Sequence, residues 1–418
     1  MTTIARELGR RSGFIQRERT LDGSLFARML VFGWMGNPEA SLSELSRLLG
    51  AEEIAITRQG VASRFTVEAV EFMWGLLQAV LGEVMAGPRV ELAVLQRFEG
   101  VYVLDSTGLS LPTSLAQLWP GCGGSAGPSA GLKVSVLWDL VKGGLEQIEV
   151  MSGRTHDQRA QAASQLLPVG ALRLTDLGYF KLTTFQALDQ AGVYWLSAYK
   201  QGTTLTVHGE QLVLSDYLAT VGEEPTSCWV EVGVRTRIPA RLVAVRVSPE
   251  TLTQRQHNLA EWERKKQCRA SALTRACLAW DLYLTNIPPD LLTAPEVLAV
   301  AHVRWQIELL FKLWKSEGQL DQWRTRNPWR ILCEIYAKLI ALLFQHWLFL
   351  VSTWALPDRS PTQACRTVRN FAWWLASGMS DLALLRACVC HILAALQGCR
   401  MGKSKTAPRT FQRLAALS

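Results

Sequence analysis

The sequence predicts an α/β protein: a mixed β-sheet flanked by helices, interrupted by a β-rich stretch, with helical regions at both ends. Three observations carry this prediction. Residues 100–200 alternate apolar runs of strand length with helical runs, the order that builds a sheet with helices packed on it. Residues 201–287 switch to alternating β patterns. Both ends of the chain, and the run at 301–318, carry apolar residues at helical spacing.

Residues 1–90 read as a helical, mixed basic region. "TLDGSLFARMLVFGWMG" is an apolar helix. Ser41 can cap a short helix that holds Leu42, Leu45, Leu48 and Leu49, and Gly50 ends it. A second helix around 54–65 would turn Thr57, Arg58, Gln59, Ser63 and Arg64 outward. That is the grammar of a helix–turn–helix, whose second helix offers side chains to phosphates and base edges. An ordinary helical hairpin has the same pattern.

Residues 91–200 read as the first part of a sheet core. "VYVLDSTGLSL" is a short strand ending on Asp105. Residues 117–131 form a glycine-rich loop without the lysine or spacing of a phosphate loop. "LKVSVLWDL" and "LEQIEVMSG" are paired strands that turn at Gly143-Gly144. "THDQRAQAASQLL" is a helix capped by Thr155, and "ALRLTDLGYF" is a buried strand ending on Asp176. "KLTTFQALDQAG" and "VYWLSAYK" add a helix and a strand. Residues 201–290 read as a β-rich insertion that contains one charged helix. Residues 291–330 return to the core, and 331–418 form a helical C-terminal region with a basic tail.

Composition narrows the class. The 418 residues carry a net charge of +8, which permits an anionic partner without requiring one. Nine scattered cysteines and a charged amino-terminal stretch without an apolar block suit a reducing cytosol. "CVCH" at 388–391 lacks the two-residue gap of a zinc ligand pair. The apolar run 331–356 is interrupted by Glu334, Lys338, Gln345 and His346, so a long buried helix fits it better than a membrane span, and no membrane is expected.

The run 301–318 holds the densest chemistry. At 100° per residue, Arg304, Glu308, Lys312 and Lys315 lie within roughly 40° of one line on a helix whose other faces are apolar. One acid among three bases on a buried helix is costly unless something multivalent sits there. A polyanion with a divalent cation fits that stripe; so does a salt-bridge ladder on a half-exposed helix. Asp105 and Asp176, each after a buried strand, would be ordinary turn residues taken singly. Together with Glu308 they suit two Mg²⁺ ions, which take hard oxygen ligands and serve phosphodiester chemistry about 3.5–4 Å apart. Arg304 and Lys315 would then hold phosphates, with Lys312 beside them.

Here "LDSTG" around Asp105, "TDLGYF" around Asp176 and "RWQIELLFKLWK" resemble the three signatures of the DDE transposases of the insertion sequence 4 group. The third signature of that group is Tyr, two residues, Arg, three residues, Glu, six residues, Lys. The chain matches it at Arg304, Glu308 and Lys315 and departs at Ala301, where the group has tyrosine. "LTNIP" at 284–288 resembles the segment before that helix. The resemblance implies a ribonuclease H-like catalytic fold with the β-rich insertion between the second Asp and the Glu. It implies Asp105, Asp176 and Glu308 as metal-binding catalytic acids for two Mg²⁺ ions, with Mn²⁺ able to substitute. It implies cut-and-paste transposition through nicking, hairpin formation, hairpin opening and strand transfer. The partners would be double-stranded DNA, as terminal inverted repeats and target, and a second copy of the chain in the synaptic complex. The setting would be a bacterial cytoplasm, in association with the nucleoid. Relatives flip a base onto a tryptophan on the strand before "TN-x-P"; Trp280 stands at that position, and a core role is the alternative for it. Two other readings stay open at this stage: a non-catalytic DNA-binding descendant, favoured by Ala301, and a nuclease of the same fold acting on branched DNA.

Overall fold

The structure is a computed structural model that describes residues 2–17, 21–50, 54, 56–83, 85–122, 129–160, 165–356, 358–402 and 409–417. Its centre is one ten-stranded mixed sheet of order β3-β2-β1-β4-β5-β10-β9-β8-β6-β7. The strands are β1 (Val101–Leu111), β2 (Ala130–Asp139), β3 (Leu145–Ser152), β4 (Leu172–Thr175), β5 (Tyr194–Ala198), β6 (Leu205–Val207), β7 (Glu210–Gln211), β8 (Thr226–Val232), β9 (Ile238–Arg246) and β10 (Trp280–Thr285). β1, β2 and β3 are antiparallel, while β1, β4 and β5 are parallel. This is the strand arrangement expected of a ribonuclease H-like core, and the flanking helices complete the expected α/β class.

Alternation along the strands sorts side chains onto two faces. Val101, Val103, Leu172 and Leu174 face a large core shared with the N- and C-terminal helices. Tyr102, Leu104, Trp195, Leu282 and Leu284 face a second core. The hairpin turn at Gly143 occurs as expected: its φ of +74° suits glycine. A Cβ there would fall 2.3 Å from Leu350 and 2.5 Å from Trp354, so the turn sits directly on the helix Pro328–Thr353. That helix is the expected long buried one. Its interruptions are satisfied internally: Lys338 pairs with buried Glu334 at 2.8 Å and donates to the carbonyls of Gln319 and Gln322, and His346 bonds to the Gly143 carbonyl at 2.7 Å.

Three expectations are corrected. The run 301–318 is two helices, Ala294–Val303 and Trp305–Ser316, because at Arg304 the backbone tightens into bonds three residues apart, from Arg304 N–H to Ala301 and from Ile307 N–H to Arg304. The second of these helices is not apolar-buried all round, since Trp305 is 54% and Leu309 44% exposed. The helix expected over 155–167 is replaced, among the described residues, by a 3₁₀ turn at Asp157–Arg159 (161–164 lie outside them), with Asp157 held by Lys133 and Ser106. The strands of 201–290, expected as a β-rich insertion, prolong the core sheet, since β10 pairs with β5 and β9.

The N-terminal region is helical as expected, with Ser41 and Glu44 forming a reciprocal cap. The helix expected over 54–65 shrinks to Arg58–Ala62, because exposed Thr57 caps its start through the Gly60 N–H and Thr66 opens the next helix, Val67–Leu81. Residues 51–53 and 55 lie outside the described residues. Arg58 and Gln59 are exposed and Arg64 half-buried, but five residues make little more than one turn, too short for the recognition helix of a helix–turn–helix.

Candidate active site

The three acids arrive from three elements. Asp105 stands where β1 parts from β4: Leu104 is the last β1 residue paired with β4, and from Asp105 on β1 pairs only with β2. It is therefore a mid-strand residue, not a strand-end one as the sequence suggested. Asp176 follows β4 directly and caps the 3₁₀ turn Leu177–Tyr179. Glu308 lies in the first turn of Trp305–Ser316.

One guanidinium joins them. Arg304 Nη1 lies 3.4 Å from Asp105 Oδ2 and 3.9 Å from Asp176 Oδ1, and its Nη2 lies 2.7 Å from Glu308 Oε1. The Asp105 carboxyl is raised to about 6, chiefly by burial, with Asp176 and Glu308 adding to the rise and the Ser106 N–H and the Arg304 guanidinium opposing it. Lys315 Nζ donates to the Gly108 carbonyl at 2.9 Å, which brings its charge alongside β1. Lys312 and Lys315 line an open cleft of about 580 Å³ with Asp105, Ser106, Glu308 and Asp321. A larger, mostly apolar cavity of about 610 Å³ lies behind the same helix and contains none of the three acids.

Among the described residues, no group of three His, Cys, Asp or Glu side chains is drawn close enough to hold a metal ion as placed. The donor set nevertheless fits a divalent cation. Asp105, Asp176 and Glu308 supply the hard oxygen donors such an ion takes, and they already gather around one positive charge, that of Arg304.

Sequence reasoning missed the support behind Asp105. Asp157 Oδ1 accepts hydrogen bonds from Lys133 Nζ and Ser106 Oγ, both at 2.9 Å, and so ties β2 to the residue after Asp105. Its other oxygen lies 3.3 Å from where a Cβ on Gly178 would stand, next to Asp176. No sequence periodicity marks Asp157, because its partners are 24 and 51 residues away. Trp280 is not brought to the acids. It is 5% exposed, packs in the second core and lies beneath Arg246, whose guanidinium is 5.2 Å from its ring. Strand alternation turns it away from Tyr283, which packs against the first core on the side of the Glu308 helix. The expected stacking surface is therefore covered.

Residues 96–344 match the family model described as "Transposase DDE domain". The chain belongs to the DDE transposase family. It is similar to a transposase for the insertion sequence element IS231C of Bacillus thuringiensis subsp. berliner, 28% identical over 363 residues, covering 81% of this chain and 76% of the relative. It is also similar to a transposase for the element IS1151 of Clostridium perfringens, 26% identical over 372 residues, covering 83% of this chain and 78% of the relative. A shorter match, 37% identical over 103 residues, is to a putative transposase of Escherichia coli K12, InsL of IS186A. The solved piggyBac transposase synaptic complex with hairpin DNA superimposes at a TM-score of 0.47 and 9% identity, over 98% of this chain and 84% of that one. The group read from the three signatures, DDE transposases of the insertion sequence 4 type, thus holds for this transposase, a DNA-cleaving and strand-transferring enzyme of insertion-sequence type.

Proposed function

We propose that this transposase excises and inserts its element by cut-and-paste chemistry, with Asp105, Asp176 and Glu308 as the acids that hold two Mg²⁺ ions, Mn²⁺ substituting. The observation that supports it most is the convergence of the three carboxylates on Arg304. Bound there, the ions would activate the attacking oxygen and stabilise the leaving one, so a single centre serves nicking, hairpin closure, hairpin opening and strand transfer.

The side chains divide the remaining work. Arg304 is the counter-charge that lets three acids stand together, and its planar fork suits a phosphate once the carboxylates have a cation of their own. Lys312 and Lys315 present positive charge along the open cleft, where a DNA strand would lie. Asp157, through Ser106 and Lys133, keeps the β1 backbone fixed behind Asp105. Trp280 is assigned a packing role, and Arg58, Gln59 and Arg64 remain candidates for contacts to DNA outside the cleft. The substrates are the terminal repeats and target duplex, two copies of the chain act in the synaptic complex, and the work is done in the bacterial cytoplasm at the nucleoid.

The test is strand cleavage and end joining on element ends with Mg²⁺. Glu308→Ala and Asp105→Asn should lose cleavage by at least about 10³-fold while retaining DNA binding. A Glu308→Ala enzyme that cuts like the parent overturns the assignment. Denaturing gels that show a hairpin-ended product test the finer pathway. Ala301 favours one second reading, a copy with weakened hairpin chemistry, in which nicking persists and the hairpin product is missing.

A further inference from the structure

We propose that the helix Pro249–Lys266 is an arm that grips duplex DNA beside the cleft; the inference rests on the transposase reading above. The helix has 18 residues and buries none of them. At 1.5 Å per residue it is about 27 Å long. One side of it, Leu252, Arg255, Leu259 and Glu263, is half-buried, and the remaining sides are mostly exposed, so most of its surface is left to a partner.

Its place in the fold points to the site. β10 runs antiparallel to β5, with Tyr283 opposite Ala198. The beginning of β10 therefore lies beyond the carboxyl ends of β4 and β5, the end of the sheet where Asp176 stands. The arm is rooted there: Arg255 bonds to the carboxylate of Asp281 at 2.5 Å and to the Trp280 carbonyl at 3.0 Å. The arm is thus rooted at the end of the sheet where Asp176 stands.

Its chemistry points to phosphate. Arg255, Arg264 and Arg275 are each paired with an acid. Lys265, Lys266 and Arg269 at the far end are exposed and have no acid in ion-pair distance among the described residues. Trp262, 46% exposed, lies one turn before them. Unpaired cations flanking an exposed indole complement a polyanion; an interface with a second copy of the chain would call for an apolar patch at its centre, which this helix lacks.

The experiment uses the full chain and a fluorescein-labelled random-sequence DNA duplex, with affinity measured by anisotropy across a salt series. Lys265→Ala, Lys266→Ala and Arg269→Ala together should weaken binding about tenfold or more near 0.1 M salt and lower the salt slope by about 2 to 3, because each lost phosphate contact removes roughly 0.9 from it. Trp262→Ala should weaken binding with the slope unchanged. These side chains are exposed, so circular dichroism and Tm should match the parent. Equal affinity and slope in the triple variant, with a parent that binds, overturns the arm alone. A change in sedimentation in place of DNA affinity also overturns it, making the helix a contact between copies. A parent that fails to bind the duplex overturns the arm together with the transposase reading.

Discussion

At the scale of single residues, Arg304 decides what the site is when no cation is bound. Three carboxylates with side-chain exposures of 18%, 43% and 32% face one guanidinium that is itself 24% exposed. Solvent screens such a cluster in part, so its loss is moderate and not catastrophic. Arg304→Ala should lower stability by about 1 kcal/mol in metal-free buffer. Millimolar Mg²⁺ should then raise its Tm by more than it raises that of the parent, since binding to the folded state stabilises by mass action and the arginine no longer competes. A melting curve of the variant that is indifferent to Mg²⁺, with the parent responding, would remove the carboxylates from the metal centre.

At the scale of elements, the β2–β3 hairpin and the long helix form one latch. The Gly143 carbonyl accepts from both His346 Nε2–H at 2.7 Å and Trp138 Nε1–H at 3.0 Å. Burial pushes the His346 pKa down from 6.5 to about 4, opposed by the bond to Gly143. The folded chain therefore keeps this imidazole neutral, while the unfolded chain protonates it below pH 6.5. Its contribution is whole above pH 6.5 and is lost as pH falls toward 4, by up to about 3 kcal/mol. Urea midpoints across that range should show the loss in the parent, and His346→Gln should flatten that limb. An unchanged slope in the variant would place the acid sensitivity elsewhere.

At the scale of the whole molecule, one sheet carries both the acids and the strands of 201–290. β10 shields the edge of β5, and β9 shields β10. Excising 203–278 and closing the gap with a short turn should leave an unshielded β10 edge and exposed apolar side chains of the second core, among them Leu282 and Leu284. The product should scatter light and elute in the void volume. A soluble, folded remnant would make the stretch a dispensable appendage.

The three candidate acids and the helix arginine could be picked out in the sequence because each belongs to a short motif whose spacing survives without tertiary contacts: "LDSTG", "TDLGYF" and R-x₃-E-x₆-K. Strand positions were legible from period-2 patterning, and the buried ion pair of Glu334 and Lys338 did not hide the long helix from its apolar periodicity. Misreadings fell where distant residues override local preference. The Asp157 turn is pinned by Lys133 and Ser106, 24 and 51 residues away. Trp280 had the right neighbours in sequence and the wrong face of the sheet.

The sequence by itself determined the family and the α/β class and singled out three candidate acids, since these follow from residue types at fixed short spacing. Only the tertiary structure decided that Arg304 sits among all three carboxylates, that Asp157 stands behind Asp105, that the strands of 201–290 share the sheet, and that the helix Pro249–Lys266 has no fully buried residue. Each of these depends on pairing between residues tens to hundreds of positions apart, and the closure of such long loops leaves no periodic trace along the chain.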